Sequence, residues 1–332
     1  MKNIYTFKKI VLAIIATSTI VSCERNSTYE DAKPSIANIA VTNSAFSTLE
    51  AAAVLGGVAG VLSNPNDGDP SGKFTVFAPT NDAFAKLGLN PDTLGALNGT
   101  FLTNTLLYHV SNGNLMSGSF LPATPSASAL GGITRRFIER NGEKYINGSK
   151  IIATNIAAAN GTVHAIDKVM IATGADIVNS ALAVQDGKVF VKPELTYLVQ
   201  AVLHASPLPD GTSIATALST LPSLTVFAPT DAAFIELLKL LNLPFANATD
   251  VKMINPDTVR AVLLNHVIGG GKFTSELNAG ANAALGGTLT LGEYMNGVLS
   301  VKGPTATIPA NMVIPDIQAK NGVIHIIDRV LL

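Results

Sequence analysis

The chain contains no tryptophan and only one cysteine, Cys23. A lone cysteine rules out an internal disulfide, and the lack of tryptophan removes the commonest platform for stacking on sugar rings, although tyrosine and phenylalanine can replace it. Charged residues make up only 14% of the chain, and the lysines and arginines form no basic stripe. Nucleic acid is therefore excluded as a partner, because its phosphates would meet no cationic surface.

Apolar residues, by contrast, are plentiful. They occupy 47% of the 332 positions, which is enough for two domain cores. We therefore expect folded domains whose stability requires no disulfide, cofactor or metal ion.

The N-terminus has the pattern of an exported lipoprotein. Residues 1–22 begin with lysines and continue as an apolar run that is too short to span a bilayer, which predicts a signal peptide. Because Ser22 and Cys23 end this run in the order that bacterial lipoprotein processing uses, we expect a lipid on Cys23, with a free thiol as the alternative. The polar residues that follow predict a flexible tether over 23–34. Glu24 after the lipid site favours the outer membrane of a Gram-negative bacterium, on its surface or its periplasmic face.

Three sequence blocks occur twice, in the same order. FTVFAPTNDAF at 74–84 returns as LTVFAPTDAAF at 224–234, LLYHV at 106–110 returns as LLNHV at 263–267, and NGTVHAIDKV at 160–169 returns as NGVIHIIDRV at 321–330. Such a duplication indicates two copies of one domain, which we expect to occupy residues 35–171 and 172–332. The connection between them is short, so we expect the domains to abut.

Each copy begins with helical patterns and ends with strand patterns. The first block predicts a strand that turns into a helix, the middle block has helical spacing, and the last block follows an Asn-Gly turn as a buried strand. The sequence therefore predicts an α+β fold in which the sheet of each copy is flanked by helices.

Several repeated polar residues have structural explanations. A threonine after the first strand is well placed to cap the next helix, and a histidine on an apolar helix face is most often a hydrogen-bonded core residue. The histidine and aspartate of the last block lie three apart, so that on a regular strand they point to opposite faces and form no catalytic dyad. These arguments assign structural roles to Thr80, Thr230, His164, Asp167, His266, His325 and Asp328.

The three blocks and their repeats resemble the signature segments of the fasciclin domain family, a set of extracellular adhesion and matrix modules. The resemblance implies a compact β-sheet wedge or sandwich of roughly seven strands in each copy. In fasciclin domains of animal matrix proteins the Tyr-His pair is linked to integrin binding, so the resemblance points to Tyr108 and His109 as candidate binding residues. The second copy has Asn265 in place of the tyrosine, and a packing role for Tyr108 remains the alternative.

Enzyme signatures are absent from the sequence. It contains no G-x-S-x-G elbow, phosphate-binding loop, dinucleotide glycine pattern or H-E-x-x-H helix. Four of the five histidines occupy duplicated positions, which suits a shared scaffold better than one active site. We therefore predict a protein without enzymatic activity, with a hydrolase or lyase built around His204 as an alternative.

The resemblance and the N-terminus together give a functional expectation. We expect an adhesion or binding module, anchored to a membrane through Cys23, that recognises a surface protein or a polysaccharide. The alternative is a structural partner subunit of an outer-membrane or periplasmic complex, for example one that handles glycans.

Overall fold

The computed structural model describes residues 33–187, 189–190 and 194–332. The expected signal peptide, the expected lipid site at Cys23 and most of the expected tether therefore lie outside the described residues. Residues 33–332 form one compact unit.

The first copy, called domain 1 below, places most of its helices before most of its strands. Its helices are α1 Ile36–Thr42, α2 Ser47–Leu55, α3 Ala59–Ser63, α4 Asn81–Ala85 and α5 Gly99–Tyr108. Its strands are β1 Phe74–Pro79, β2 Val110–Asn112, β3 Pro125–Ala127, β4 Thr134–Arg140, β5 Glu143–Ile146, β6 Ser149–Ala158 and β7 Gly161–Ile166.

The second copy, called domain 2, repeats this order. Its helices are α6 Ile177–Gln185, α7 Thr196–His204, α8 Ile214–Thr220, α9 Asp231–Leu240 and α10 Pro256–Asn265. Its strands are β8 Ile171–Ala172, β9 Leu224–Pro229, β10 Val267–Gly269, β11 Gly280–Ala283, β12 Thr288–Leu291, β13 Ser300–Lys302, β14 Ala310–Ala319 and β15 Gly322–Ile327.

The two sheets have the same topology. The strand order is β2-β1-β7-β6-β5-β4-β3 in domain 1 and β10-β9-β15-β14-β13-β12-β11 in domain 2. In each sheet the strands of the first and last repeated blocks pair in parallel, with Phe74 opposite Gly161 and Leu224 opposite Gly322. The predicted α+β architecture of two tandem, helix-flanked sheets is confirmed.

Each central strand divides its side chains between two apolar layers. In β1, Phe74, Val76 and Ala78 face the cluster that the helices cover, while Phe77 packs on the other side with Phe120 and Phe137. Strand β9 repeats this division with Leu224, Val226 and Ala228 on one side and Phe227 on the other. Because side chains alternate along a strand, these fully buried strands have hydrophobic side chains on both faces.

The Asn-Gly pair that opens the last block holds three elements together. A side chain on Gly161 would lie 2.0 Å from the carbonyl oxygen of Phe74, so only glycine fits there. The adjacent Asn160 accepts a hydrogen bond from the Ile36 N–H and donates to the Leu62 carbonyl. Asn321 makes the equivalent bonds to Ile177 and Leu218 in domain 2. The last strand is thereby tied to the first helices of its own domain.

Strand β8 lies at the expected domain boundary. Ile171 and Ala172 pair with Ile317 and Gln318 of β14, in the sheet of domain 2. The chain therefore joins the second sheet immediately after it leaves the first domain, which brings the two domains into direct contact.

Candidate binding residues and the junction between the domains

Tyr108 and His109 are both enclosed by the fold. Tyr108 is the last residue of α5, His109 follows it, and their exposed fractions are 0% and 2%. Burial raises the pKa of the Tyr108 hydroxyl well above its usual value. An external ligand cannot reach either side chain in this arrangement, and the surroundings favour a packing role for Tyr108.

Arg135 explains part of the burial of Tyr108. This fully buried arginine donates hydrogen bonds to the carbonyl oxygens of Tyr108 and Ala127, each at 2.6 Å, and its guanidinium lies 5.2 Å from the centre of the Phe77 ring. Burial lowers its pKa to about 10. By strand register the same place in domain 2 is held by Leu289. The position that Tyr108 occupies in domain 1 and Asn265 in domain 2 thus has different surroundings in the two copies.

The histidines at the ends of α5 and α10 are pinned between backbone groups. The Nδ1 of His109 donates to the Thr105 carbonyl oxygen at 2.7 Å, and its Nε2 accepts from the Met170 N–H at 2.9 Å. His266 makes the same pair of bonds to Val262 and Leu331. Burial lowers the pKa of both rings to about 4, so they are neutral at physiological pH.

The histidines of the last block are held in the opposite tautomer. The Nδ1 of His164 accepts from the Asn155 N–H, and its Nε2 donates to the Leu115 carbonyl oxygen at 2.9 Å. His325 repeats this arrangement with Asp316 and Lys272. Burial lowers the pKa of both rings. In all four histidines both ring nitrogens bond to backbone, which leaves them unsuited to proton transfer.

The other repeated polar residues make local bonds. Thr80 and Thr230 accept from the backbone N–H three residues later, at 3.3 and 3.1 Å, as helix N-caps do. Asp167 accepts from the Lys150 N–H and Asp328 from the Asn311 N–H, both at 2.7 Å. Each aspartate therefore joins the end of the last strand to the strand before it.

His204, the centre of the enzyme alternative, lies at the end of α7. Its Nε2 is 2.9 Å from the carbonyl oxygen of Ile254. No group of three or more histidine, cysteine, aspartate or glutamate side chains is placed to hold a metal ion in the part of the chain that the structure describes. Within the same residues, no helix has the length and apolarity needed to cross a bilayer.

Tyr108 belongs to the contact surface between the domains, which we call the junction. The main side chains of the junction are Tyr108, Arg136, Arg140, Asn147 and Lys168 of domain 1 with Phe273, Thr274, Glu276, Tyr294, Asp316 and Gln318 of domain 2. At its centre, the Tyr108 hydroxyl donates to the Gln318 side-chain oxygen, and the Asn147 amide donates to both groups. A buried polar network of this kind fixes one relative placement of the domains.

Two half-buried arginines on β4, Arg136 and Arg140, form a second part of the junction. Arg136 forms an ion pair with Glu276, and its guanidinium lies 4.6 Å from the centre of the Phe273 ring. Arg140 donates to the Leu277 carbonyl oxygen at 2.5 Å and lies 4.4 Å from the centre of the Tyr294 ring. Each arginine thus combines hydrogen bonds with stacking on an aromatic ring, a combination that lysine would not provide.

Lys168 forms the buried side of the junction. Its ammonium group reaches domain 2, where it lies 2.5 Å from an Asp316 carboxylate oxygen and donates to Thr274 Oγ1 and to the Gly297 carbonyl oxygen. Burial would raise the pKa of Asp316, but the charge of Lys168, the His325 ring and hydrogen bonds outweigh it and lower the pKa. Both charges are therefore satisfied inside the interface.

Sequence reasoning identified Tyr108 but missed the rest of the junction. One sequence difference between the two copies could have indicated the junction. Asn155 and Asp316 occupy equivalent places, since each has a positive φ and donates its N–H to the histidine of the last strand. Only domain 2 has a carboxylate there, and that carboxylate is the one that meets Lys168.

Large apolar side chains lie exposed on the helices of both domains. In domain 2 they include Leu203, Leu240 and Met253, with exposed fractions of 67%, 77% and 60%. Domain 1 exposes Val54 to 67% on α2. These side chains are open to contact with a partner protein.

Comparison with known proteins gives consistent matches. The family model described as Fasciclin domain matches residues 44–172 and again residues 199–332. Protein sll1483 of Synechocystis is 34% identical over 143 residues, which cover 42% of this chain and 75% of that protein. Human periostin is 26% identical over 279 residues, which cover 79% of this chain and 28% of periostin.

A solved structure is also similar over most of the chain. It is a FAS1 domain pair from the insect cell adhesion molecule Fasciclin I, and the match covers 89% of this chain and 95% of that chain. The sequence identity is 16% and the TM-score is 0.37.

Proposed function

This chain belongs to the fasciclin domain family, and we propose that it is a non-enzymatic adhesion or binding module that recognises a surface protein or a polysaccharide. The observation that carries the proposal is the junction. Two fasciclin domains that could act separately are joined here by a buried ion pair and a buried polar network. A rigid pair presents a ligand with one extended surface and loses little conformational entropy on binding.

The exposed surface favours a protein as the ligand. Leu240 and Leu203 of domain 2 are exposed to 77% and 67%, and exposed apolar side chains suit protein contact better than sugar contact. The chain also has no tryptophan for stacking on sugars. The same surface suits the alternative function of a structural partner subunit in an outer-membrane or periplasmic complex.

Capture from cell envelope distinguishes these possibilities. Residues 24–332 serve as bait for detergent-solubilised envelope and for a polysaccharide panel, beside Leu240→Ser and the matched variant Val54→Ser in domain 1. We expect wild type to retain a surface protein, and we expect Leu240→Ser to retain much less while Val54→Ser binds normally. Capture of a defined envelope complex would favour the partner-subunit function, and retention of glycan alone would contradict protein recognition.

We further propose that the module is held at the outer membrane of a Gram-negative bacterium by a lipid on Cys23. The supporting observation is the position of Cys23 at the end of an apolar run that follows three lysines. Radiolabelled palmitate should enter the wild-type protein, and Cys23→Ser should remain unlabelled and leave the membrane fraction. A Cys23→Ser protein that stays with the membrane would contradict the lipid anchor.

A further inference from the structure

Domain 2 has a counterpart of the surface through which domain 1 contacts it. The repeated blocks make Arg329 the equivalent of Lys168. In domain 1 this surface is covered by domain 2, because Lys168 meets Asp316 and Ile171 pairs with β14. In domain 2 it is open, since the side chain of Arg329 is 41% exposed, against 9% for Lys168. The duplication thus shows one copy of this surface in contact with a partner and the other copy without one.

Two exposed leucines and a pocket make the open copy apolar. Leu240 is the last residue of α9 and Leu241 follows it, and their exposed fractions are 77% and 48%. Leu241 lines a pocket of about 130 Å³ together with Leu237 and Val330. Because Val330 directly follows Arg329, the end of α9 and the segment after β15 form one continuous surface.

A cation and an anion lie beside the leucines. The Arg329 guanidinium is 3.5 Å from a Glu236 carboxylate oxygen, and the Glu236 side chain is 60% exposed. Glu236 precedes Leu240 by four residues on α9, so both lie on the same side of the helix. An ion pair as exposed as this one contributes little to stability, so both charges are available to a second molecule. We call the surface formed by Glu236, Leu240, Leu241 and Arg329 the open face.

The charges of the open face make it complementary to itself. Domain 1 has Lys86 in place of Glu236, so its face has lysine at both positions, and domain 2 meets it with the carboxylate of Asp316. The open face instead has one charge of each sign. About a two-fold axis, the cation of each copy meets the anion of the other. A head-to-tail contact that repeated the junction would bring Asn155, the equivalent of Asp316, to Arg329 and would leave that arginine without a carboxylate.

We propose that the open face is the contact surface of a symmetric dimer of this protein. Arg329 of each copy pairs with Glu236 of the other, and Leu240 and Leu241 pack across the axis. Each favourable contact occurs twice, and the leucines are removed from water. The inference rests on the proposed function, because it names a second copy of this chain as the protein that the exposed leucines contact.

Sedimentation equilibrium of residues 24–332 tests the dimer. We expect the mass to rise from that of a monomer to that of a dimer as the concentration increases. Arg329→Glu places two acids opposite each other, and Glu236→Arg places two bases opposite each other. Each change should therefore raise the dimer Kd at least tenfold. The double variant Arg329→Glu/Glu236→Arg exchanges the two charges and should restore the Kd to within about threefold of wild type.

Mixing the two single variants identifies the pairing. An equimolar mixture of Arg329→Glu and Glu236→Arg should form a heterodimer at concentrations where each variant alone is a monomer, because both ion pairs of the mixed dimer then join opposite charges. Such rescue also shows that both variants are folded. The control is Glu143→Arg, which breaks an ion pair of domain 1 with Lys150 at 3.1 Å, where Glu143 is 53% exposed. It makes the same change of charge as Glu236→Arg and should leave the Kd unchanged.

Three results would overturn the proposal. They are a wild type that stays monomeric up to about 1 mM, a dimer that neither single charge reversal weakens, and a mixture of the single variants that forms no heterodimer. A monomeric wild type that still retains an envelope protein through Leu240 would overturn the dimer and leave the proposed function intact. A dimer with the expected charge dependence that captures no other envelope protein and no glycan would support the dimer and contradict recognition of a different partner.

Discussion

Four histidines show how single residues stabilise this fold. Each ring accepts one backbone N–H and donates to one backbone carbonyl, and the two positions use opposite tautomers. A second proton would convert the accepting nitrogen into a donor that faces another donor. The duplication of these residues therefore reflects a requirement of the domain.

This arrangement predicts a specific loss of stability at mildly acidic pH. His109 and His266 have folded pKa values of about 4, below the ordinary value of about 6.5, so the unfolded chain binds more protons between these values. Their contribution is complete above pH 6.5 and is lost as the pH falls toward 4, by up to roughly 3 kcal/mol for each ring. Urea midpoints measured from pH 7 to pH 5, above the range of ordinary carboxylates, should fall steadily. His109→Gln should reduce the slope of the urea midpoint against pH. Midpoints that stay constant over this range would contradict the conclusion that these histidines are held neutral by backbone hydrogen bonds.

Gly148 tests the junction at the same scale. A Cβ atom at this position would lie 2.0 Å from an Asp316 carboxylate oxygen. Gly148→Ala should therefore displace Asp316 from Lys168 and lower the free energy of unfolding by about 1 to 3 kcal/mol, as overpacking does.

The control for this change is Gly60→Ala. Gly60 lies in α3, where an added Cβ would contact nothing within 4 Å. This variant should be neutral or up to about 1 kcal/mol more stable, because alanine favours a helix. Equal effects of the two variants in urea unfolding would show that Asp316 does not lie against Gly148.

At the scale of elements, the sequence predicted local structure well where one repeated signal decided it. The helical spacing of the middle block correctly predicted α5 and α10. The predicted caps Thr80 and Thr230 precede the first residues of α4 and α9. The sequence did not predict the ties made by Asn160 and Asn321, because an Asn-Gly pair indicates only a turn. Their partners lie about 100 residues away along the chain, so the fold has to be known before the bonds can be recognised.

The helix caps give a prediction at this scale. Thr80→Ala removes the acceptor for the Ala83 N–H and should lower the free energy of unfolding by about 1 kcal/mol. Thr80→Ser keeps the hydroxyl and should cost much less. The two are compared by urea denaturation, and Thr230→Ala should repeat the result in domain 2. Identical stabilities for Thr80→Ala and Thr80→Ser would show that the hydroxyl does not cap α4.

At the scale of the whole molecule, the junction turns two similar domains into one body. The abutting of the domains could be expected from their short connection, but the contacts could not. The family resemblance made Tyr108 a candidate binding residue, with packing as the alternative, and in the structure it is buried because Arg135 and Gln318 surround it. Lys168 corresponds to Arg329 in the repeated block, so sequence alone does not show which of the two meets a carboxylate in another domain.

The function proposed for this chain requires the two domains to form a rigid pair. Calorimetric unfolding of residues 24–332 tests this rigid pairing most directly. Lys168→Met keeps the length of the side chain but leaves Asp316 buried without its cation, which should cost roughly 3 to 5 kcal/mol. We predict one cooperative transition for the wild type and two separate transitions for Lys168→Met, as each domain unfolds alone. Two transitions in the wild type, or an unchanged single transition in Lys168→Met, would contradict a rigid pair held by the junction.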